Sequence, residues 1–218
     1  SMSLRMTGWS KESVERIWGL HNITSNTALF DNDRILAFAI GKPSEAFGDP
    51  YKVFDSERKI ARLPGPPYKF LDRITEIRCE PWKMVAGGEI VAQYDIPPDE
   101  WYFKSERQNL MPFAVLLEVA LQPCGWLAAY IGSALTSPVD LSFRNLGGKA
   151  ILKRLVTPGD KMLEVHVKIT KVSSSAGMVV QEYLFDVFSE GQSIYKGETT
   201  FGFFTKEALA NQIGVRGA

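Results

Sequence analysis

The sequence predicts an α+β domain in which a curved antiparallel sheet wraps around one long central helix. Two observations predict it. Residues 110–135, LMPFAVLLEVALQPCGWLAAYIGSAL, are apolar almost all round and are opened by a Met-Pro pair, a helix start signal. Downstream, runs of alternating residues are separated by short turns, the pattern of an antiparallel meander. A helix with no wide polar face must be covered on most sides, and a strongly curved sheet can cover it.

Taken in order, the elements begin with an N-terminal extension over residues 1–60. Ser10 is placed to cap a short helix over residues 12–19, and a second short helix is predicted over residues 33–40, stopped by Gly41. The stretch from Pro43 to Pro50 reads as turns. Phe38, Phe47, Tyr51 and Phe54 are the aromatics through which the extension would dock. The main domain is predicted over residues 61–210, with 211–218 as a tail or linker.

Pro64, Gly65, Pro66 and Pro67 exclude a helix at the domain entry. Strands are predicted over residues 68–77 and 89–96, with Gly87 and Gly88 turning between them. Residues 99–107 read as a polar loop leading to the long helix. Beyond it, strands are predicted over 139–146, ended by Gly147 and Gly148, and over 150–156. Residues 162–172 alternate cleanly, with Leu163, Val165, Val167 and Ile169 on one side and Glu164, His166, Lys168 and Thr170 on the other. Strands over 178–188 and 193–204 complete the meander, which gives the arrangement known as a hot dog.

Lys+Arg and Asp+Glu balance at 25 each, so the chain carries no electrostatic signature of nucleic-acid binding. The apolar run is long enough to span a bilayer. Glu118, Gln122, Pro123 and the lack of basic flanks argue against membrane insertion. Cys79 and Cys124 form neither a metal-ligand spacing nor a disulfide framework. The opening residues SMSLRMTG do not read as a secretory signal, so the expected location is cytoplasmic.

Chemistry is concentrated on the long helix. Glu118 and Gln122 are four residues apart and share one face. A carboxylate in an apolar helix is costly unless it is paired or used, which makes Glu118 a candidate acid at a buried site. The scarce histidines are poorly placed. His166 falls on the polar, solvent-facing side of its strand, and His21 lies in the extension.

The segments AFAIGKPSEAFGDPY, ARLPGPPYKFLDRIT, YDIPPDEWYF, MPFAVLLEVALQPCGWLAAYIGSAL, DLSFRNLGG and YKGETTFGFFT resemble the FabA-like β-hydroxyacyl-ACP dehydratases. The likeness is greatest to the dehydratase regions of polyunsaturated fatty acid synthases and polyketide-type megasynthases. It covers nearly the whole chain and implies one half of a double hot dog. In that family a His removes the α-proton of a 3-hydroxyacyl thioester, and a helix Asp or Glu protonates the departing hydroxyl across the seam between two hot dogs. The resemblance carries Glu118 onto the acid position, with Gln122 supporting it, and Met111, Pro112 and Phe113 onto the substrate-binding helix start.

Two departures matter. The stretch after Trp101-Tyr102-Phe103, where the family keeps its His, contains none; Glu106 falls nearest and reads as solvated surface. Phe113 stands where the family has a Gly whose N–H polarises the thioester carbonyl. The chain is therefore expected to supply Glu118 to a composite site whose His comes from a partner hot dog, and to be inactive alone. The implied partners are acyl carrier protein and a second hot dog or a homodimer. No cofactor is implied beyond the phosphopantetheine arm carrying the substrate. The alternatives are a non-catalytic half that shapes the acyl tunnel and, less favoured, an acyl thioesterase.

Overall fold

The computed structural model describes residues 28–210 apart from Ala176. The expected helix over residues 12–19, His21 and the tail over 211–218 lie outside the described residues. The helices are α1 (Asn32–Ala39), α2 (Pro43–Phe47), α3 (Val53–Ser56), α4 (Trp101–Ser105), α5 (Phe113–Tyr130) and α6 (Lys206–Ala210). The strands are β1 (Arg73–Arg78), β2 (Glu89–Asp95), β3 (Ser142–Leu152), β4 (Met162–Ser175), β5 (Met178–Ser189) and β6 (Gln192–Phe204). They form one antiparallel sheet in the order β1-β2-β4-β5-β6-β3, curved around α5.

Strand alternation dictates which residues meet the helix. Val165, Val167 and Ile169 of β4 and Tyr183, Phe185 and Val187 of β5 are almost wholly buried. They pack with Val119, Ala120, Cys124 and Leu127 of α5 in one core. Burying each large side chain contributes about 1.5–3 kcal/mol. Tertiary packing of this kind carries α5 straight through Pro123, which would break an isolated helix. The helix is long and apolar enough to cross a membrane by length and composition, yet here it is the core helix of the sheet.

The extension is bound into the same core. Asp31 caps α1 by accepting from the Arg34 N–H. Phe47 packs on Trp126 at 5.7 Å between ring centroids, and the Tyr51 hydroxyl donates to the Ala129 carbonyl of α5. Burial pushes the Tyr51 phenol well up. The two sheet edges are treated differently. At β1, Phe30 forms an antiparallel bridge to Ile74 and occupies the start of the edge. At the other end every residue of β3 is exposed, including Phe143, Leu146, Ile151 and Leu152.

Several local expectations are corrected. Residues 43–50 hold α2 and a 3-10 turn, and the loop over 99–107 contains α4, whose Tyr102 and Phe103 sides are buried. Residues 68–71 precede β1 and are not strand. The two strands expected around Gly147 and Gly148 are one strand, β3, with a bulge between Asn145 and Gly147. Gly147 takes φ 121°, and a Cβ at Gly148 would collide with the Glu198 carbonyl of β6, so glycine continues the strand here rather than ending it.

Candidate active site

α5 packs on β2, β4 and β5. Along its other flank a hollow opens toward β3 and β6, with a cavity of about 340 Å³. The helix lines it with Glu118, Leu121, Gln122, Gly125, Ala128 and Ala129, spaced as one helical face. Phe143, Phe201 and Phe203 form the sheet wall, and residues 60–64 form the facing wall. A second hollow of about 350 Å³ lies toward the start of α5 and is lined by Phe113 and Leu117; Leu121 and Asn145 border both hollows.

Gln122 is 3% exposed and both polar atoms of its amide are hydrogen-bonded. Its Oε1 accepts from the Phe70 N–H at 2.8 Å, while its Nε2 donates to the Tyr68 carbonyl at 2.8 Å and to Glu118 Oε2 at 3.2 Å. The amide therefore substitutes for strand pairing of residues 68–70 and satisfies backbone groups that burial would otherwise leave costly. It also holds one Glu118 oxygen. Glu118 is half-buried and borders the apolar cavity. A carboxyl so placed can exchange a proton with a group in the cavity while its supporting amide keeps it oriented.

The residues at the start of the helix separate. Met111 is 3% exposed, donates its N–H to the Val156 carbonyl at 2.9 Å and belongs to the core. Pro112 is the N-cap of α5 and makes no side-chain cap bond. Phe113 is 55% exposed, borders the second hollow and meets Tyr195 edge to face at 5.9 Å. Sequence reasoning missed Asn145, Gly125 and the wall over residues 60–64. Gly125, Ala128 and Ala129 do carry a signal, because small residues interrupt an otherwise bulky helix at the spacing of Gln122.

His166 is a correction. It was expected to face solvent, but it is 4% exposed. Its ring packs against Phe188 at 4.8 Å, and its Nε2 bonds to Glu164 Oε1 at 2.8 Å. Its neighbours Val165 and Val167 face α5, so alternation puts His166 on the outer side of the sheet, away from Glu118. The cysteines offer no nucleophile. Burial raises the Cys79 thiol to about 11 and pushes Cys124 higher still.

A six-stranded antiparallel sheet curved about one helix, with the acid and amide on that helix, defines an α+β hot-dog protein. The chain belongs to the FabA-like family, whose domain matches residues 63–198. It is 29% identical over 188 residues to a polyunsaturated fatty acid synthase subunit from Thraustochytrium sp., covering 82% of this chain and 12% of that protein. The chain thus spans only a small part of this relative's length. Among solved structures it is similar to the dehydratase heterocomplex ApeI:P from Xenorhabdus doucetiae, with TM-score 0.51 and 12% identity over 69% of this chain and 93% of that one. At that identity the likeness shows the fold alone.

Proposed function

We propose that this chain is the acid-bearing half of a 3-hydroxyacyl dehydratase that acts on substrates carried by acyl carrier protein. Glu118, held by Gln122 at the border of an apolar cavity, is the observation that carries the reading. A base from a partner hot dog removes the C2 proton. That electron pair becomes the C2=C3 double bond as the C3–O bond breaks. Glu118 gives its proton to the departing hydroxyl, which leaves as water. The partner is invoked because His166, the sole histidine among the described residues, lies across the sheet. The unpaired, apolar edge of β3 supplies a surface for it, since such an edge otherwise invites uncontrolled pairing.

The test joins this chain to a His-bearing hot dog and measures hydration of an enoyl thioester. The chain alone should be inactive, the pair active and Glu118→Gln in the pair inactive. Activity of the pair that survives Glu118→Gln sinks the reading. That outcome would favour a purely structural half, a second reading supported by the bulk of Phe113 at the helix mouth. In parallel, Leu146→Asp on β3 should abolish association seen by light scattering while leaving the fold intact.

A further inference from the structure

Asn145 stands at the bulge of β3 and faces α5. It pairs with Phe201, and Phe143 two residues earlier pairs with Phe203, so strand alternation puts these side chains on the inner side of the sheet. All four border the hollow that Glu118 also borders. The Asn145 amide is held from one end only. Its Oδ1 accepts from the Gly147 N–H at 2.9 Å and, more weakly, from the Thr199 hydroxyl at 3.5 Å. Only the oxygen of a carboxamide can accept from a backbone N–H, so the orientation of the group is fixed. Nδ2, with two N–H donors, has no acceptor among the described residues.

The local backbone is shaped to hold this amide. A side-chain oxygen that accepts from the N–H two residues on closes an Asx turn. Gly147 follows at φ 121°, and Gly148 runs too close to the Glu198 carbonyl for any side chain. The start of α5 offers less. Phe113 borders the second hollow and stands against Tyr195, leaving less room for a carbonyl beside the backbone N–H groups there. Asn145 borders that hollow too.

We propose that Asn145 is a catalytic residue whose Nδ2 donates a hydrogen bond to the thioester carbonyl oxygen of the substrate. This rests on the reading of Glu118 as the acid that meets the C3 hydroxyl. The carbonyl carbon lies two bonds from C3, about 2.5 Å, so its donor must share a hollow with the acid, as Asn145 does. When the partner's base takes the C2 proton, the released electron pair moves toward C1 and negative charge builds on the thioester oxygen. The Nδ2–H steadies that charge without giving up its proton. The pair then returns to form C2=C3 as the C3–O bond breaks, and the proton from Glu118 leaves in water. Asn145 is exposed on the open edge of the chain alone. A hot dog paired to β3 covers that edge, and a donor shielded from water stabilises a developing charge more strongly.

The test uses this chain joined to a His-bearing hot dog. Asn145→Asp keeps the acceptor for the Gly147 N–H and removes the donor. Asn145→Ser keeps a shorter turn bond, adds no charge and does not reach into the hollow, so it separates loss of the donor from the effect of a new carboxylate. Both should lower kcat by about 10²–10³-fold with KM and melting temperature nearly unchanged. Binding is read separately with butanoyl-pantetheine thioester, an unreactive probe isotope-labelled at its carbonyl carbon, by difference infrared spectroscopy. The bound carbonyl stretch should lie at lower frequency in the wild type than in either variant. Full turnover in the serine variant, a loss confined to KM, no saturable binding of the probe, or a stretch unmoved by both substitutions would overturn the proposal. The infrared readout needs no turnover: if Glu118→Gln spares the rate, the acid reading fails while the carbonyl shift still decides Asn145.

Discussion

Among the described residues two glutamates are supported by glutamines, and they differ in what is left for other work. On the outer face of the sheet, Glu164 accepts from Gln93 at 3.0 Å and bonds His166 at 2.8 Å. Gln93 in turn accepts from Arg73, whose guanidinium is bidentate to Asp95. Every member of this chain is committed to another. On the inner side, Gln122 spends its amide on backbone and gives Glu118 a single bond, leaving the carboxyl beside an apolar hollow. The first arrangement ties strands together; the second positions an acid. Residue type and pairing are alike, so the difference lies in the surroundings.

The largest effect that would break this comparison is on turnover. In a joined pair, Glu118→Gln should lower the rate by about 10²–10⁴-fold and leave the melting temperature nearly unchanged. Glu164→Gln should do neither to the rate. If the two substitutions depress turnover equally, the contrast between a committed and an available carboxyl is wrong.

Next comes the support itself. Gln122→Ala removes the partner of the Phe70 N–H and of the Tyr68 carbonyl, and should cost about 2–4 kcal/mol in denaturant unfolding. Gln122→Glu should lose less packing but place a second carboxyl one turn from Glu118, so its stability should fall further as pH rises through the carboxylate range.

Asp160 sharpens the comparison from the structural side. Burial works to raise its carboxyl, but hydrogen bonds from Arg154, Ser189 and the Thr157 N–H outweigh that and hold it well below the usual range. Asp160→Asn should cost about 1–3 kcal/mol at neutral pH. Because the folded value is lowered, this contribution is complete above the ordinary carboxylate pKa and disappears only in strong acid.

The smallest effect is on Glu164. The His166 hydrogen bond lowers its carboxyl against the opposing effect of burial, with Gln93 assisting. The side chain is 35% exposed, so solvent screening limits Glu164→Gln to about 1 kcal/mol. Melting temperatures of wild type and variant should differ at neutral pH and converge as acid protonates Glu164.

Legibility followed the reach of the forces involved. The spacing of Glu118 and Gln122 is a local property, and the structure keeps them bonded on one face. The backbone partners of Gln122 are more than fifty residues away in sequence, and no local pattern announces them. His166 obeyed alternation, but the inference from outer face to solvent failed because Phe188 from the neighbouring strand covers it. Gly147 and Gly148 carried the marks of a turn, yet pairing with β6 uses them for a bulge.

By itself the sequence determined the period of the long helix and of the strands β2, β4, β5 and β6, the burial of the long helix, and the presence of one acid and one amide on a single helical face. Those follow from side-chain chemistry acting within a few residues. Only the tertiary structure decided that Phe30 pairs at the start of β1 while β3 is bare, that His166 is covered on the outer face of the sheet, and that Phe38 and Ile60 of the extension help wall the hollow beside Glu118. These depend on contacts between distant segments, where packing and backbone pairing override local preference.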